Sequence, residues 1–149
     1  MRVRPKPEGY HSVTPYLVVP NVAQVIEFAK HAFGAVEIHP PVRRPDGSIM
    51  HCELRVGDSP VMMGEPMDQY PPMPACLYVY VDDTDATYRR ALEAGGTSIM
   101  EPADQFYGDR NAGIKDPAGN LWWIATHKED VPPEEMERRA QETLTARQI

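Results

Sequence analysis

Thr14-Pro15-Tyr16-Leu17-Val18-Val19-Pro20-Asn21 is a short β-rich run closed by a proline and a potential helix cap, and 62 residues later the chain reads Cys76-Leu77-Tyr78-Val79-Tyr80-Val81-Asp82-Asp83. At the same offset Val19 falls on Val81, Gly34 on Gly96, Pro40 on Pro102 and Gly57 on Gly119, with no gap. Each copy reads as strand, helix, glycine turn and three further strands. That pattern predicts one βαβββ module written twice. Two such modules packed together make a cup, a shape suited to a small molecule.

Outward from the first run, Asn21 is placed to cap a helix, and Gln24 to complete a capping box with it. Val22, Val25, Ile26, Ala29 and Phe33 recur at helical spacing, and Gly34 supplies the stop. In the second copy Asp83 is the cap, Tyr88, Ala91 and Leu92 belong to the inner face, and Gly95-Gly96 end the helix. The strands that follow are read as Ala35–His39, Ile49–Val56 and Pro60–Gly64, then Thr97–Met100, Asn111–Lys115 and Leu121–His127. Pro45-Asp46-Gly47, Gly57-Asp58-Ser59, Gly108-Asp109 and Asp116-Pro117-Ala118-Gly119 carry turn chemistry. They are read as structural, and Asp116 is given no catalytic role.

Pro66–Pro74 holds four prolines in nine residues, which suits a stiff extended linker. Pro132-Pro133-Glu134-Glu135 then start a helix with acids at its positive end. The expected organisation is α+β: a single domain over residues 8–130, with modules at about 12–65 and 75–128, the linker at 66–74, and a helical tail at 131–149.

A formal charge of −7 gives no electrostatic reason to approach nucleic acid or anionic lipid. No apolar run reaches membrane-spanning length and the N-terminus lacks the apolar core of a signal peptide, so a cytoplasmic protein is expected. Cys52 and Cys76 lie in strand-like runs without CxxC spacing, which points to free thiols.

Strand alternation sets Leu17, Val19, Val79 and Val81 toward the helices and Thr14, Tyr16, Cys76, Tyr78 and Tyr80 toward the cup. In Ile49–Val56 the apolar row is Met50, Cys52, Leu54 and Val56, which leaves His51, Glu53 and Arg55 together on the other row. Such a row serves as a solvated or dimer-contact face with ordinary cross-strand ion pairs, or it places His51 in the cup as a proton carrier.

Thr14-Pro15-Tyr16-Leu17, Ala32-Phe33-Gly34-Ala35, Asp46-Gly47, His51, Phe106-Tyr107-Gly108-Asp109-Arg110, Asp116-Pro117-x-Gly119, Trp122 and Ala125-Thr126-His127 occur in that order. Taken together they closely resemble the vicinal oxygen chelate superfamily, in particular the PhnB-like group of glyoxalase/bleomycin-resistance proteins. The resemblance implies the fold of paired βαβββ modules with a curved mixed sheet and a homodimer. It spans lyases, isomerases, epimerases, dioxygenases, thiol transferases and binding proteins without chemistry. Metal enzymes of the superfamily place a ligand on the first and last strand of each module. By the repeat, the corresponding positions here are Thr14, Val61, Cys76 and Trp123, which cannot supply the oxygen, imidazole or thiolate set that a divalent ion needs. No metal or other cofactor is therefore expected, and only an unusual set from His51, Glu53 and Glu65 would restore a metal.

Three functions remain open. The first is a metal-independent binder of an aromatic or hydrophobic compound, with Tyr16, Met63, Tyr78, Tyr80 and Trp123 as contacts. The second is an enzyme with His51 as acid or base, Glu53 orienting it and Arg110 holding an oxyanion. The third is a structural or regulatory dimer with a vestigial cup.

Overall fold

The computed structural model describes residues 2–147. In chain order the elements are β1 (Tyr16–Val18), α1 (Val22–Phe33), β2 (Val36–Arg43), β3 (Ile49–Val56), β4 (Ser59–Gly64), β5 (Cys76–Tyr80), α2 (Thr84–Glu93), β6 (Thr97–Asp104), β7 (Asp109–Lys115), β8 (Leu121–His127) and α3 (Pro133–Arg147). They form two four-stranded sheets, ordered β1-β4-β3-β2 and β5-β8-β7-β6. In each sheet the first pair is parallel and the others are antiparallel. This is the α+β architecture of two βαβββ modules that the repeat predicts, with the C-terminal helix expected from Pro132-Pro133-Glu134-Glu135. The last two residues assigned to the tail, 148 and 149, lie outside the described residues.

Alternation decides which side chains reach the core. Leu17, Cys52, Leu54, Val56, Val61 and Met63 are buried on the helix side of the first sheet, under Val22, Val25, Ile26, Ala29 and Ala32 of α1. The two modules share this core: Phe28 and Phe33 of α1 pack on Trp122 of β8, with ring centroids 6.0 and 5.0 Å apart. Of the residues expected on the inner face of α2, Tyr88 and Ala91 are buried, but Leu92 is exposed.

The repeat is not gapless. Tyr16 opposes Met62 where Tyr78 opposes Trp123, and Met62 opposes Glu53 where Trp123 opposes Gly113. The structural offset is therefore 62 residues at the first strand, 60 at the third and 61 at the fourth. Two causes are visible. Helix α2 has 10 residues where α1 has 12, and Arg55 and Pro60 are joined by one residue fewer than Lys115 and Leu121. The left-handed helix stops correspond as Gly34 (φ 67°) and Gly95 (φ 100°), not Gly34 and Gly96.

Other boundaries move for local reasons. β2 and β6 continue past their expected ends, through Pro40-Pro41 and Pro102, because each is the edge strand of its sheet, where a missing N–H breaks no ladder bond. Asn21 lies in the left-handed region (φ 58°, ψ 44°), which an asparagine tolerates, so its side chain makes no cap bond and the expected capping box with Gln24 is absent. Asp83 is extended and does cap α2, accepting from the Ala86 N–H at 3.1 Å. The linker is not simply extended: Met67 and Tyr70 pair across a turn, and Met73 then pairs with Val18 of β1. Among the described residues no helix is long and apolar enough to cross a membrane.

Candidate functional site

Each sheet has an open face, directed away from the helices. On the first sheet it carries Tyr16, His51, Glu53 and Met62, and on the second Tyr78, Tyr80, Asn111, Trp123 and His127, as strand alternation and cross-strand register require. Tyr16, Tyr78 and Tyr80 stay substantially exposed there. Trp123 is half-buried while its neighbour Trp122 lies wholly in the core. A cleft of about 570 Å³ beside β5 reaches both Tyr78 and Tyr80 and is lined as well by Val13, Pro60 and the helix-side residues Val61 and Trp122.

Two expected ligand contacts are corrected. Met63 is fully buried opposite Leu17 and Cys52, because the one-residue shift between the hairpins turns it to the helix side; Met62 takes the open face instead. Arg110 also lies on the helix side, opposite Thr126. Its guanidinium forks onto Asp85 of α2 at 3.1 and 3.2 Å and reaches Asp104 of β6 at 3.2 Å. It braces α2 against the sheet.

On the first open face, Glu53 is a nearly buried carboxylate. His39 Nε2 lies 3.5 Å from one of its oxygens and His51 Nε2 3.7 Å from the other, distances of electrostatic contact longer than a good hydrogen bond. His51 Nδ1 is 3.0 Å from the Tyr16 hydroxyl. The structure thus brings Tyr16, His51 and Glu53 into one row. Tyr10 is turned toward Glu53, and burial followed by that carboxylate raises its pKa. Residues of the N-terminal segment, including Lys6, Tyr10 and His11, enclose a hollow of about 530 Å³ with His39, Glu53 and Met62. Cys52 has its thiol pushed up to about 11, by burial first and then by Glu37 and Glu53, so it stays a neutral core thiol. Cys76 is free and exposed.

The second open face holds a denser network, which the sequence reading did not assemble. Asp109, 4% exposed, accepts from the hydroxyls of Tyr78 at 2.7 Å and Tyr80 at 3.0 Å and from His127 Nδ1 at 2.8 Å. His127 Nε2 in turn lies 2.7 Å from Asp130. Asn111 Nδ2 donates to Tyr78 at 3.1 Å and to Tyr107 at 2.6 Å. A period-two reading outward from Trp123 would have found His127, and one inward from Gly113 would have found Asn111 and Asp109.

Burial pushes the Asp109 carboxyl upward, but hydrogen bonds from His127, Tyr78 and Tyr80 outweigh it and hold the group below its usual range. The same bond to Asp109, followed by that to Asp130, raises the His127 pKa. Since both ring nitrogens face carboxylates, only the imidazolium satisfies both. A raised folded pKa stabilises the fold fully below the unfolded value near 6.5, and the contribution fades as pH rises through the folded pKa. The stability advantage of wild type over His127→Gln is therefore expected to be largest near pH 6 and to shrink toward pH 9 in urea titrations. An advantage that grows with pH would contradict this assignment.

Of the positions that the resemblance matches to metal ligands, Thr14, Val61, Cys76 and Trp123, Val61 faces the helices while Met62 takes the open face, and Cys76 is an exposed free thiol. Tyr16 opposes Met62, and Tyr78 opposes Trp123. These rings and this thioether do not fit a chelated divalent ion. Among the described residues no group of three or more His, Cys, Asp or Glu side chains is arranged to hold one.

A family model, Glyoxalase/Bleomycin resistance protein/Dioxygenase superfamily, matches residues 9–124. The uncharacterized protein Mb0911c of Mycobacterium bovis is 33% identical over 140 residues, covering 85% of this chain and 90% of its own length. Among solved structures, TioX from Micromonospora sp. ML1 superposes with a TM-score of 0.62 at 21% identity, over 82% of this chain and all of its own. TnmS3, an antibiotic binding protein from Streptomyces sp. CB03234, gives 0.62 at 20% identity, over 79% and 96%. At such identities the two structures establish a shared fold.

Proposed function

The chain belongs to the Glyoxalase/Bleomycin resistance protein/Dioxygenase superfamily, and from that premise we propose that it binds a small, planar, largely apolar organic molecule on its open sheet faces without a chelated metal. The observation that carries this reading is the pairing of Tyr16 with Met62 and of Tyr78 with Trp123 at the first and last strands of the two modules. Rings give area and stacking, each aromatic pair adding about 0.5–1.5 kcal/mol beyond burial. A methionine adapts to an irregular outline. TnmS3, an antibiotic binding protein of the same fold, supports a binding reading here. Within the superfamily we favour the PhnB-like branch, on the ordered motifs from Thr14 to His127.

Tyr16, Tyr78 and Tyr80 are 45%, 44% and 61% exposed, which leaves rings on the open faces available for contact. We take the complete site to be closed by a second copy of the chain about a two-fold axis. A second reading is supported by the Tyr16, His51 and Glu53 row: proton transfer to or from a bound ligand, with His51 as acid or base and Glu53 orienting it.

A thermal-shift screen across polycyclic aromatics, small 2-oxo acids and divalent metals separates these readings. Binding without chemistry predicts stabilisation by the aromatics alone, and a shift of several degrees with a stoichiometric metal would overturn it. The catalytic reading predicts stabilisation by small acids, and turnover of such an acid that falls about 100-fold or more in His51→Ala with the fold intact. Unchanged turnover in that variant removes His51 from any mechanism.

A further inference from the structure

Asn111 is the polar group on the second open face whose hydrogen bonding does not close. Asp109 takes the hydroxyl proton of Tyr78 at 2.7 Å, so the Tyr78 oxygen is left to accept, and it does so from Asn111 Nδ2 at 3.1 Å. Turning the carboxamide over would set its oxygen against the Tyr78 oxygen, which has no proton left to offer. The orientation is thus fixed from behind by a carboxylate. With Nδ2 committed, Oδ1 is left without a partner on a residue only 3% exposed. Orphaned buried acceptors of this kind are uncommon in folded chains and call for an explanation.

The other contact of Nδ2 suggests what is missing. Tyr107 sits in the turn between β6 and β7, closed by a Gly108 N–H bond to the Gln105 carbonyl at 3.1 Å, and it brings a phenol hydroxyl within 2.6 Å of Nδ2. A hydroxyl placed squarely over a carboxamide accepts from the nitrogen and donates to the oxygen at once. Tyr107 makes the first bond and not the second, and a hydroxyaryl ring in its place is free to turn and make both.

We propose that the second open face recognises a hydroxyaryl group, which displaces the Tyr107 phenol and donates to Asn111 Oδ1. The ring then lies among Tyr78, Tyr80 and Trp123, the same wall on which the aromatic-ligand reading rests, and this proposal depends on that reading. The selectivity it adds is for a hydroxyl over its ether, because the ether offers no proton to Oδ1.

Calorimetric titration of the full chain with 2-naphthol and with 2-methoxynaphthalene tests this, since the two rings differ only by methylation of the donor. Wild type is expected to bind 2-naphthol about ten-fold more tightly, the ratio one hydrogen bond supplies. Asn111→Leu should bring that ratio to about one. Tyr78→Phe keeps the ring but frees the carboxamide to turn, so it should also shrink the ratio, and it decides the matter alone if Asn111→Leu does not fold. A wild-type ratio near one, or a ratio that survives in the folded variants, overturns the hydroxyaryl assignment while aromatic binding stands. If wild type binds neither probe, the aromatic-ligand reading fails and this proposal falls with it.

Discussion

Asp116→Ala is expected to lower the free energy of unfolding by about 3–5 kcal/mol, the largest stability loss of any single polar truncation in the molecule. The carboxylate is 4% exposed and accepts four hydrogen bonds: from the Ala118 N–H at 2.8 Å, the Asn120 N–H at 3.0 Å, Asn120 Nδ2 at 2.8 Å and the indole Nε1 of Trp122 at 2.8 Å. Each donor would be left in a dry environment, where an unpaired group costs about 1–3 kcal/mol, though local relaxation recovers part of the sum. The damage spreads along two routes. Trp122 is the ring that Phe28 and Phe33 of the other module pack against, and Asn120 Oδ1 accepts from the Ala75 N–H at 2.9 Å at the entry to β5. Urea unfolding of wild type and variant measures the loss directly. A change below about 1 kcal/mol would show that the turn holds its shape without the acid.

The Asp116-Pro117-Ala118-Gly119 pattern predicts a structural turn. Its four bonds all serve folding. The fold was legible for similar reasons: β-rich runs at Thr14–Val19 and Leu77–Val81, helical spacing from Val22 to Phe33, and glycine stops give patterns that packing must honour. What an offset cannot show is register. The single extra residue in the β7–β8 connection moves every later side chain to the other face relative to the first module, and that placed Met63 in the core where a ligand contact was expected.

The site was legible only where one strand sufficed. His51 and Glu53 share a strand and an alternation, so they were found together, and the structure adds Tyr16 to them from β1. The Asp109 network draws on β5, β7, β8, the β6–β7 turn and the segment after β8, and its members come together only once the strand order is known. Arg110 shows the converse. Its neighbours in sequence suggested an oxyanion contact, whereas its partners Asp85 and Asp104 lie 25 and 6 residues away on the helix side.

Gly113→Ala should weaken the binding of 2-methoxynaphthalene about ten-fold or more and, unusually for a glycine in the middle of a strand, should also destabilise the fold. A Cβ at this position would stand 2.7, 3.0 and 3.1 Å from three atoms of the Trp123 six-membered ring, so the indole lies directly on the glycine backbone. The backbone itself is no obstacle, since Gly113 is not among the residues with positive φ. Alanine must therefore lift the ring out of its seat, and the wall it forms with Tyr78 is lost. Trp123→Ala should reduce affinity to a similar degree, since a central tryptophan contributes about 2 kcal/mol or more to a binding surface. The two changes act through one ring and should not add. In the Trp123→Ala background the three nearest contacts of the added methyl are gone, and Gly113→Ala should then raise stability by roughly 0.5–1 kcal/mol, the ordinary gain from removing a strand glycine. That reversal of sign, measured by urea unfolding of the four proteins in the cycle, isolates the contact. If Gly113→Ala proves stabilising with Trp123 present, the indole does not depend on the glycine, and the platform for a planar ligand must be sought elsewhere on the face.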